Sequence, residues 1–297
     1  MMGEFELLSL LEELRWDEDN FSPKVGKFTE EFYNDRDLIR LVLMTNGGCL
    51  KYLSKQFSSD PELVLTAGLN GFEYASEDLK SNRSFLLLMV DKEGPYVLRY
   101  AHKSLLLDED FLKGFKPADL SVLIEFGPDE LKANRDFVKE VITNNGYEIC
   151  HVSDEFKNDF EIALLAVSNN EHAYEFISDD LKANKEIFLA GPGGAHLAYA
   201  PEVICSDLEC LKHAVSRFGG ALAFVKDETL ITPDLVLLAA YSRSNLEDAY
   251  RSIPSNLRAD RNLAIQLEAN DAAAFDYMDV SLKEDAYLKL LRKVYLL

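Results

Sequence analysis

Three groupings of residues in this chain could do chemistry. The segment "GPGG" at 191–194 could cradle a phosphate, Cys150-His151 could couple a thiol to a base, and five pairs of adjacent acids could gather a cationic surface. A phosphate-binding glycine loop follows a strand and opens a helix, and in its P-loop form it ends in Lys-Ser/Thr. Here a helical pattern precedes the glycines, no Lys-Ser/Thr follows, and β-rich runs are absent. "GPGG" therefore reads as a joint between two short helices. Adjacent residues on a helix point about 100° apart, so Cys150 and His151 do not face one another.

The remaining histidines, His102, His172, His196 and His213, are scattered, and no H-E-x-x-H, G-x-S-x-G or Asp-rich calcium loop occurs. Cys49, Cys150, Cys205 and Cys210 form no C-x-x-C pair, which suits free thiols in a reducing cytoplasm. The expectation is no catalytic residue, no metal and no cofactor.

The acidic pairs gain meaning from a repeat. "EYASEDLKSNRSFLLLMV", "EFGPDELKANRDFVKEVI" and "EFISDDLKANKEIFLAG" are copies of one unit, anchored on the residue before the long apolar stretch. Asp35, Asp60, Asn82, Asp108, Asn134, Asp159, Asn184, Asp207, Thr232 and Asp260 fill that place, with Glu284 as a degraded eleventh; the spacings run 25, 22, 26, 26, 25, 25, 23, 25, 28 and 24.

The anchor suits a helix N-cap, whose short polar side chain accepts from open first-turn amides. An acid follows two residues later in eight of eleven copies, at the positive end of the helix dipole. The third residue is always apolar, and others follow at helical spacing, as in Phe137, Val138, Val141 and Ile142. Glycine or Asn-Gly then intervenes at 45–48, 69–71, 144–146 and 218–220, where a left-handed residue would end the helix.

A shorter second helix is expected next. Eight residues before the following anchor stands an aromatic in seven of ten units (Tyr52, Tyr74, Tyr100, Phe126, Phe176, Tyr199, Phe224), and six before it Ser or Pro in seven. His151 and His102 fill these two places in their own units, so the repeat frame accounts for them.

In this register Glu77-Asp78, Asp129-Glu130, Asp154-Glu155, Asp179-Asp180 and Asp227-Glu228 coincide, on the second half of five units. Stacked units would align them as a ridge, interrupted at 55–56, 103–104 and 255–256. As a solvated turn the ridge needs no partner; as a binding strip it would favour a basic protein surface. The net charge of −21 and pI near 4.6 argue against nucleic acid, whose phosphates require clustered cations. No run is long and apolar enough to span a membrane, and "MMGEFELLSLLEELRW" lacks the basic start of a signal peptide while placing Phe5, Leu8, Leu11 and Leu14 at helical spacing.

The unit resembles an uncharacterised bacterial family of helical repeats, with a consensus near A-L-x-Y-A-S-E-E-L-K-x-D-x-E-h-V-L-x-A-V. The likeness is best at 72–90, 126–146 and 174–190 and looser over 34–284. It implies an all-helical repeat with no catalytic residues to carry over. It also leaves room for a host-directed role, because such repeats occur in candidate translocated effectors of intracellular pathogens.

Helices this short bury their apolar faces only by stacking on neighbours. The expected fold is all-α: one domain over 1–297, a right-handed or curved α-solenoid of about ten two-helix repeats. Capping helices are expected over 1–33, repeats over 34–284, and a closing helix over 285–297, with distortion at 91–120 and 241–260. The expected function is a non-enzymatic scaffold that binds a protein partner along the acidic ridge or a concave face. The alternatives are an enzyme with a cleft between distant repeats, near His196 or His151, and a self-associating spacer using the terminal "VYLL".

Overall fold

The computed structural model describes residues 35–295, together with residues 9, 11 and 12. The expected capping pair over 1–33 lies otherwise outside the described residues, as does the end of "VYLL". The chain divides into two compact units, Met1–Phe137 and Val138–Leu297. Both are helical, and no strand occurs among the described residues.

The anchors cap helices as their chemistry requires. In the helices Arg36–Thr45, Lys185–Ala190, Leu208–Arg217 and Arg261–Asn270 the Asp or Asn before the first residue accepts from the amides two and three residues on. The last cap is Asp285 rather than Glu284. Its carboxylate accepts from the Tyr287 and Leu288 amides at 2.9 and 3.1 Å, and it opens the closing helix Ala286–Tyr295. The third residue after the cap is therefore Leu288, fully buried, and Tyr287 is exposed.

The repeat contains three helical pieces, not two. After the long helix the chain extends for one residue and enters a 3-10 segment, such as Gly47–Tyr52, Gly146–His151 or Ala272–Tyr277. A four-residue α-turn follows: Lys55–Ser58, Glu77–Lys80, Asp154–Lys157, Asp179–Lys182. The joint glycines at 45–48, 69–71, 144–146 and 218–220 are not left-handed; among the described glycines only Gly68, at a helix kink, and Gly94, between the long helix and the 3-10 segment of its repeat, have positive φ. Asn46, Asn145 and Asn170 at the joints cap the 3-10 segments with their side chains.

Close approach is what the joint glycines supply. A Cβ on Gly47, Gly146, Gly194 or Gly219 would lie 1.8–2.6 Å from the carbonyl oxygen of Ala67, Ala166, Ala214 or Ala239, respectively. Each of those alanines stands seven residues after the next cap. At these four joints the 3-10 segment and the following helix thus meet backbone to backbone, with no room for a Cβ at the glycine.

The core also sits elsewhere than the aromatic pattern suggests. Tyr52, Tyr74, Tyr100 and Phe176 are half-exposed, and Phe126 and Tyr199 are exposed. The buried position is two residues earlier: Leu50, Phe72, Leu98, Ile124, Ile149, Tyr174, Leu197, Leu222, Tyr250 and Phe275 are all at most 7 % exposed. Burying each such side chain contributes about 1.5–3 kcal/mol.

Successive repeats are tied twice within each unit. The amide six residues before a cap donates to a carbonyl of the preceding four-residue turn: Ser76 to Ser58, His102 to Lys80, Ser178 to Lys157 and Asp279 to Arg258, at 2.8–3.1 Å. The residue just after a cap, when basic, reaches the next cap: Arg36 to Asp60 at 2.9 Å, Arg83 to Asp108 at 3.7 Å, Lys185 to Asp207 at 2.8 Å and Arg261 to Asp285 at 2.8 Å.

This second tie explains the choice of capping residue. Asn82, Asn134, Asn184 and Thr232 follow units with Pro61, Glu109, Phe160 and Leu208 at that place, where no cation reaches forward. Asp260, after Pro233, is the exception among the described caps, and Arg135 and Asp159 keep the rule in sequence.

The two regions expected to distort do so. After Asp108 the helix is only Glu109–Leu112, followed by Pro117–Leu120 and Val122–Phe126. In the second region Arg243 and Asn245 are the only described non-glycine residues with positive φ.

Candidate functional site

The acidic pairs share a structural place. Glu77-Asp78, Asp129-Glu130, Asp154-Glu155 and Asp179-Asp180 are the first two residues of four-residue turns, where acids complement the open amides. Asp227 differs: it caps the 3-10 segment Glu228–Leu230, accepting from the Thr229 hydroxyl at 2.7 Å and amide at 2.9 Å. That hydroxyl, and then the amide, hold the Asp227 carboxyl below its ordinary range.

Each of the four α-turns carries its own counter-charge. The lysine three residues on meets the first acid of the pair: Lys80–Glu77 at 3.2 Å, Lys132–Asp129 at 3.6 Å, Lys157–Asp154 at 4.0 Å and Lys182–Asp179 at 3.3 Å. Exposed i,i+3 pairs contribute only tenths of a kcal/mol, yet they halve the charge each turn presents.

In the unit Met1–Phe137 neutralisation goes further. Lys103 of one turn binds Glu130 of the next at 2.5 Å and, as first cause, holds the Glu130 carboxyl below its usual range. The turn bearing Glu77-Asp78 stacks between those bearing Lys55 and Lys103. Here the expected acidic ridge alternates in sign.

In the unit Val138–Leu297 it does not alternate. The Ser178 amide and hydroxyl bond to Lys157 and Asn158, at 3.0 and 2.7 Å, so the turns carrying Asp154-Glu155 and Asp179-Asp180 are neighbours. Glu155, Asp180 and Glu228 are exposed, and among the described residues none of them makes an ion pair.

"GPGG" is a joint built around a buried histidine. His196 is 2 % exposed; its Nδ1 faces a Glu171 carboxylate oxygen at 3.2 Å and its Nε2 the Phe188 carbonyl at 3.0 Å. Both ring nitrogens thus face oxygen atoms. The same Glu171 oxygen accepts from the Ala195 amide at 3.2 Å. A Cβ on Gly191 would lie 2.8 Å from the His196 ring, and one on Gly193 would lie 2.2 Å from the Glu171 carboxylate. Two glycines thus clear space for the pair, and Gly194 is the register glycine of the joint.

Phe188 and Tyr174 pack on His196 at ring-centre distances of 4.4 and 5.3 Å. His213, whose Nε2–H donates to the Gly191 carbonyl at 2.9 Å, has its pKa lowered chiefly by burial. Cys150 is half-buried and His151 exposed at the end of one 3-10 segment. Burial pushes the Cys210 thiol up to about 12 and raises that of Cys205, which leaves little thiolate for nucleophilic chemistry at either.

Glu268 was not distinguishable among 52 acids in the sequence. It is fully buried with both oxygens unpaired, eight residues after its cap, where other repeats place Leu43, Ile142, Val167, Val215 or Ala240. Among the described residues no group of three or more His, Cys, Asp or Glu is arranged to hold a metal, and no helix is long and apolar enough to cross a membrane.

Residues 121–157, 134–182 and 159–190 each match the model of a family described as a domain of unknown function (DUF4116). The matched stretches contain the turns bearing Asp129-Glu130, Asp154-Glu155 and Asp179-Asp180, and they span a minority of the chain. No curated protein matches the chain, and no solved structure does.

Proposed function

We propose that the chain is a non-enzymatic helical-repeat scaffold whose repeats stack as a solenoid within each unit. Its acidic turns in Val138–Leu297 bind a basic protein partner. The observation that carries this reading is the trio Glu155, Asp180 and Glu228: exposed acids without an ion pair, the first two left over after their turns have used their own lysine and the third beside Asp227, which is met by Thr229. Repeat stacks present extended surfaces, which suit recognition of another chain. Like charges on neighbouring turns raise the encounter rate and selectivity for a cationic surface more than they raise affinity. Four free cysteines suit a reducing, cytoplasmic setting.

The test is co-precipitation with the full chain as bait at low and at high salt. A basic protein held at low salt and released at high salt supports the reading. Retention indifferent to salt moves the interface to apolar surface and refutes it.

A further inference from the structure

The aromatics eight residues before the caps stand at the margin of the stack, and the residue just before such an aromatic can reach the next one along. In the unit Met1–Phe137 Arg99 does so. Its guanidinium lies 5.0 Å from the ring centre of its neighbour Tyr100 and 4.3 Å from that of Phe126, one repeat on. Two successive aromatics thus hold one arginine between them. Glu73, at the same place one repeat earlier, also reaches forward and bonds to the Tyr100 hydroxyl, but the Tyr100 ring already carries Arg99.

In the unit Val138–Leu297 Phe176 and Tyr199 are two such successive aromatics, and Glu175 stands where Arg99 does. Glu175 reaches forward in the same way and accepts from the Tyr199 hydroxyl. The 3-10 segments Gly146–His151, Glu171–Glu175 and Ala195–Tyr199 pack in that order, and Tyr147 of the first meets Phe176 edge-on at a ring-centre distance of 5.4 Å. Tyr147 and Tyr199 are 43 and 45 % exposed, Phe176 is half-exposed and Glu175 is exposed. Among the described residues no lysine or arginine lies on these three rings or pairs with Glu175.

We infer that Phe176 and Tyr199 receive an arginine side chain of the basic partner, its guanidinium stacked on the two rings and its charge met by Glu175. Arg99 between Tyr100 and Phe126 is the same arrangement made within the chain. A planar guanidinium stacks on aromatic faces and offers a carboxylate a fork of donors, whereas a lysine ammonium is a strongly hydrated point charge. The turn carrying Asp179-Asp180 begins three residues after Phe176, so the site is continuous with the acidic turns. The inference rests on the reading that those turns bind a basic protein, and it adds a preference for arginine over lysine that charge alone does not give.

The test titrates the full chain at low salt into a fluorescent peptide of alternating Arg and Gly, and into its Lys-Gly counterpart of equal length, read by anisotropy. Wild type should bind the arginine peptide more tightly by roughly threefold to thirtyfold, the range for a cation on aromatic faces. Tyr199→Leu changes no charge and alters an exposed ring. It should lower the arginine peptide to the level of the lysine peptide, leave the lysine peptide unaffected and unfold near the wild-type midpoint. Glu175→Arg, which installs what Arg99 provides, should also erase the preference. Equal affinity of wild type for the two peptides overturns the inference, as does binding of neither, or a preference that survives Tyr199→Leu. With Glu155→Gln, Asp180→Asn and Glu228→Gln together, both peptides should weaken alike. Unchanged affinity for both would count against the acidic turns, while a preference still abolished by Tyr199→Leu would uphold the arginine site.

Discussion

Replacing Glu268 by leucine should stabilise the protein, and increasingly so as pH rises. Burial, the largest cause, raises the Glu268 carboxyl from 4.5 to about 7, against the pull of Arg292 and the Phe275 amide and with the push of Asp271 and Asp276. Because the folded-state pKa lies above the unfolded one, the native state holds this proton more tightly. The associated stability is fully present below the unfolded value, falls from pH 4.5 upward, and is gone above about pH 7.

A separation between 4.5 and about 7 corresponds to about 3 kcal/mol lost across that window. Leucine at 268 restores what Leu43 provides in another repeat, and it has nothing to ionise. Urea unfolding of wild type and Glu268→Leu from pH 5 to pH 8 measures the difference directly. The variant's advantage should grow by a few kcal/mol over that range. An advantage that is constant with pH, or a less stable variant at pH 8, would refute the reasoning.

Three further outcomes follow from the joints and ties. Gly194→Ala should cost about 1–3 kcal/mol or more by overpacking, since its Cβ would lie 2.2 Å from the Ala214 oxygen; a midpoint within 1 °C of wild type would show that the joint yields freely. Glu171→Gln should cost about 1–3 kcal/mol, by removing the charged acceptor that faces His196, and it should be read by thermal unfolding. Lys185→Met removes the partner that, as first cause, holds the Asp207 carboxyl below its ordinary 3.8. A depressed folded pKa gives stability that is present above 3.8 and lost as pH falls through the folded value. The variant should therefore unfold at a higher pH than wild type during acid titration followed by circular dichroism.

The caps were legible because an N-cap leaves a chemical trace: one short polar residue followed by acid and apolar residues in fixed order. Asp285 was misread by one place because the pattern there offers two acids in succession, and only the burial of Leu288 decides between them. The core position two residues before the aromatic was hidden by its variety, since Leu, Ile, Phe and Tyr all serve there. An aromatic eight residues before the cap is conspicuous by type but sits at the margin of the stack.

Six residues are too few for hydrophobic period to separate a 3-10 segment from an α-helix. The acidic pairs were plain, and their cancellation was equally present in "SEDLK", "PDELK", "SDEFK" and "SDDLK", where acid and lysine stand three apart. The reach of Arg36 or Lys185 to the next cap needed the stacking geometry, because nothing in the sequence places two residues 22 or 24 apart side by side.

The most direct test of the proposed function compares two variants of equal charge. One is Glu155→Gln, Asp180→Asn, Glu228→Gln, and the other is Asp37→Asn, Asp91→Asn, Asp136→Asn; both neutralise three exposed acids. The partner retained by wild type at low salt should be lost with the first and kept with the second, while both unfold at the wild-type midpoint. Equal retention by the two, or equal loss, would contradict the account, for binding would then follow net charge or another surface and not the acidic turns.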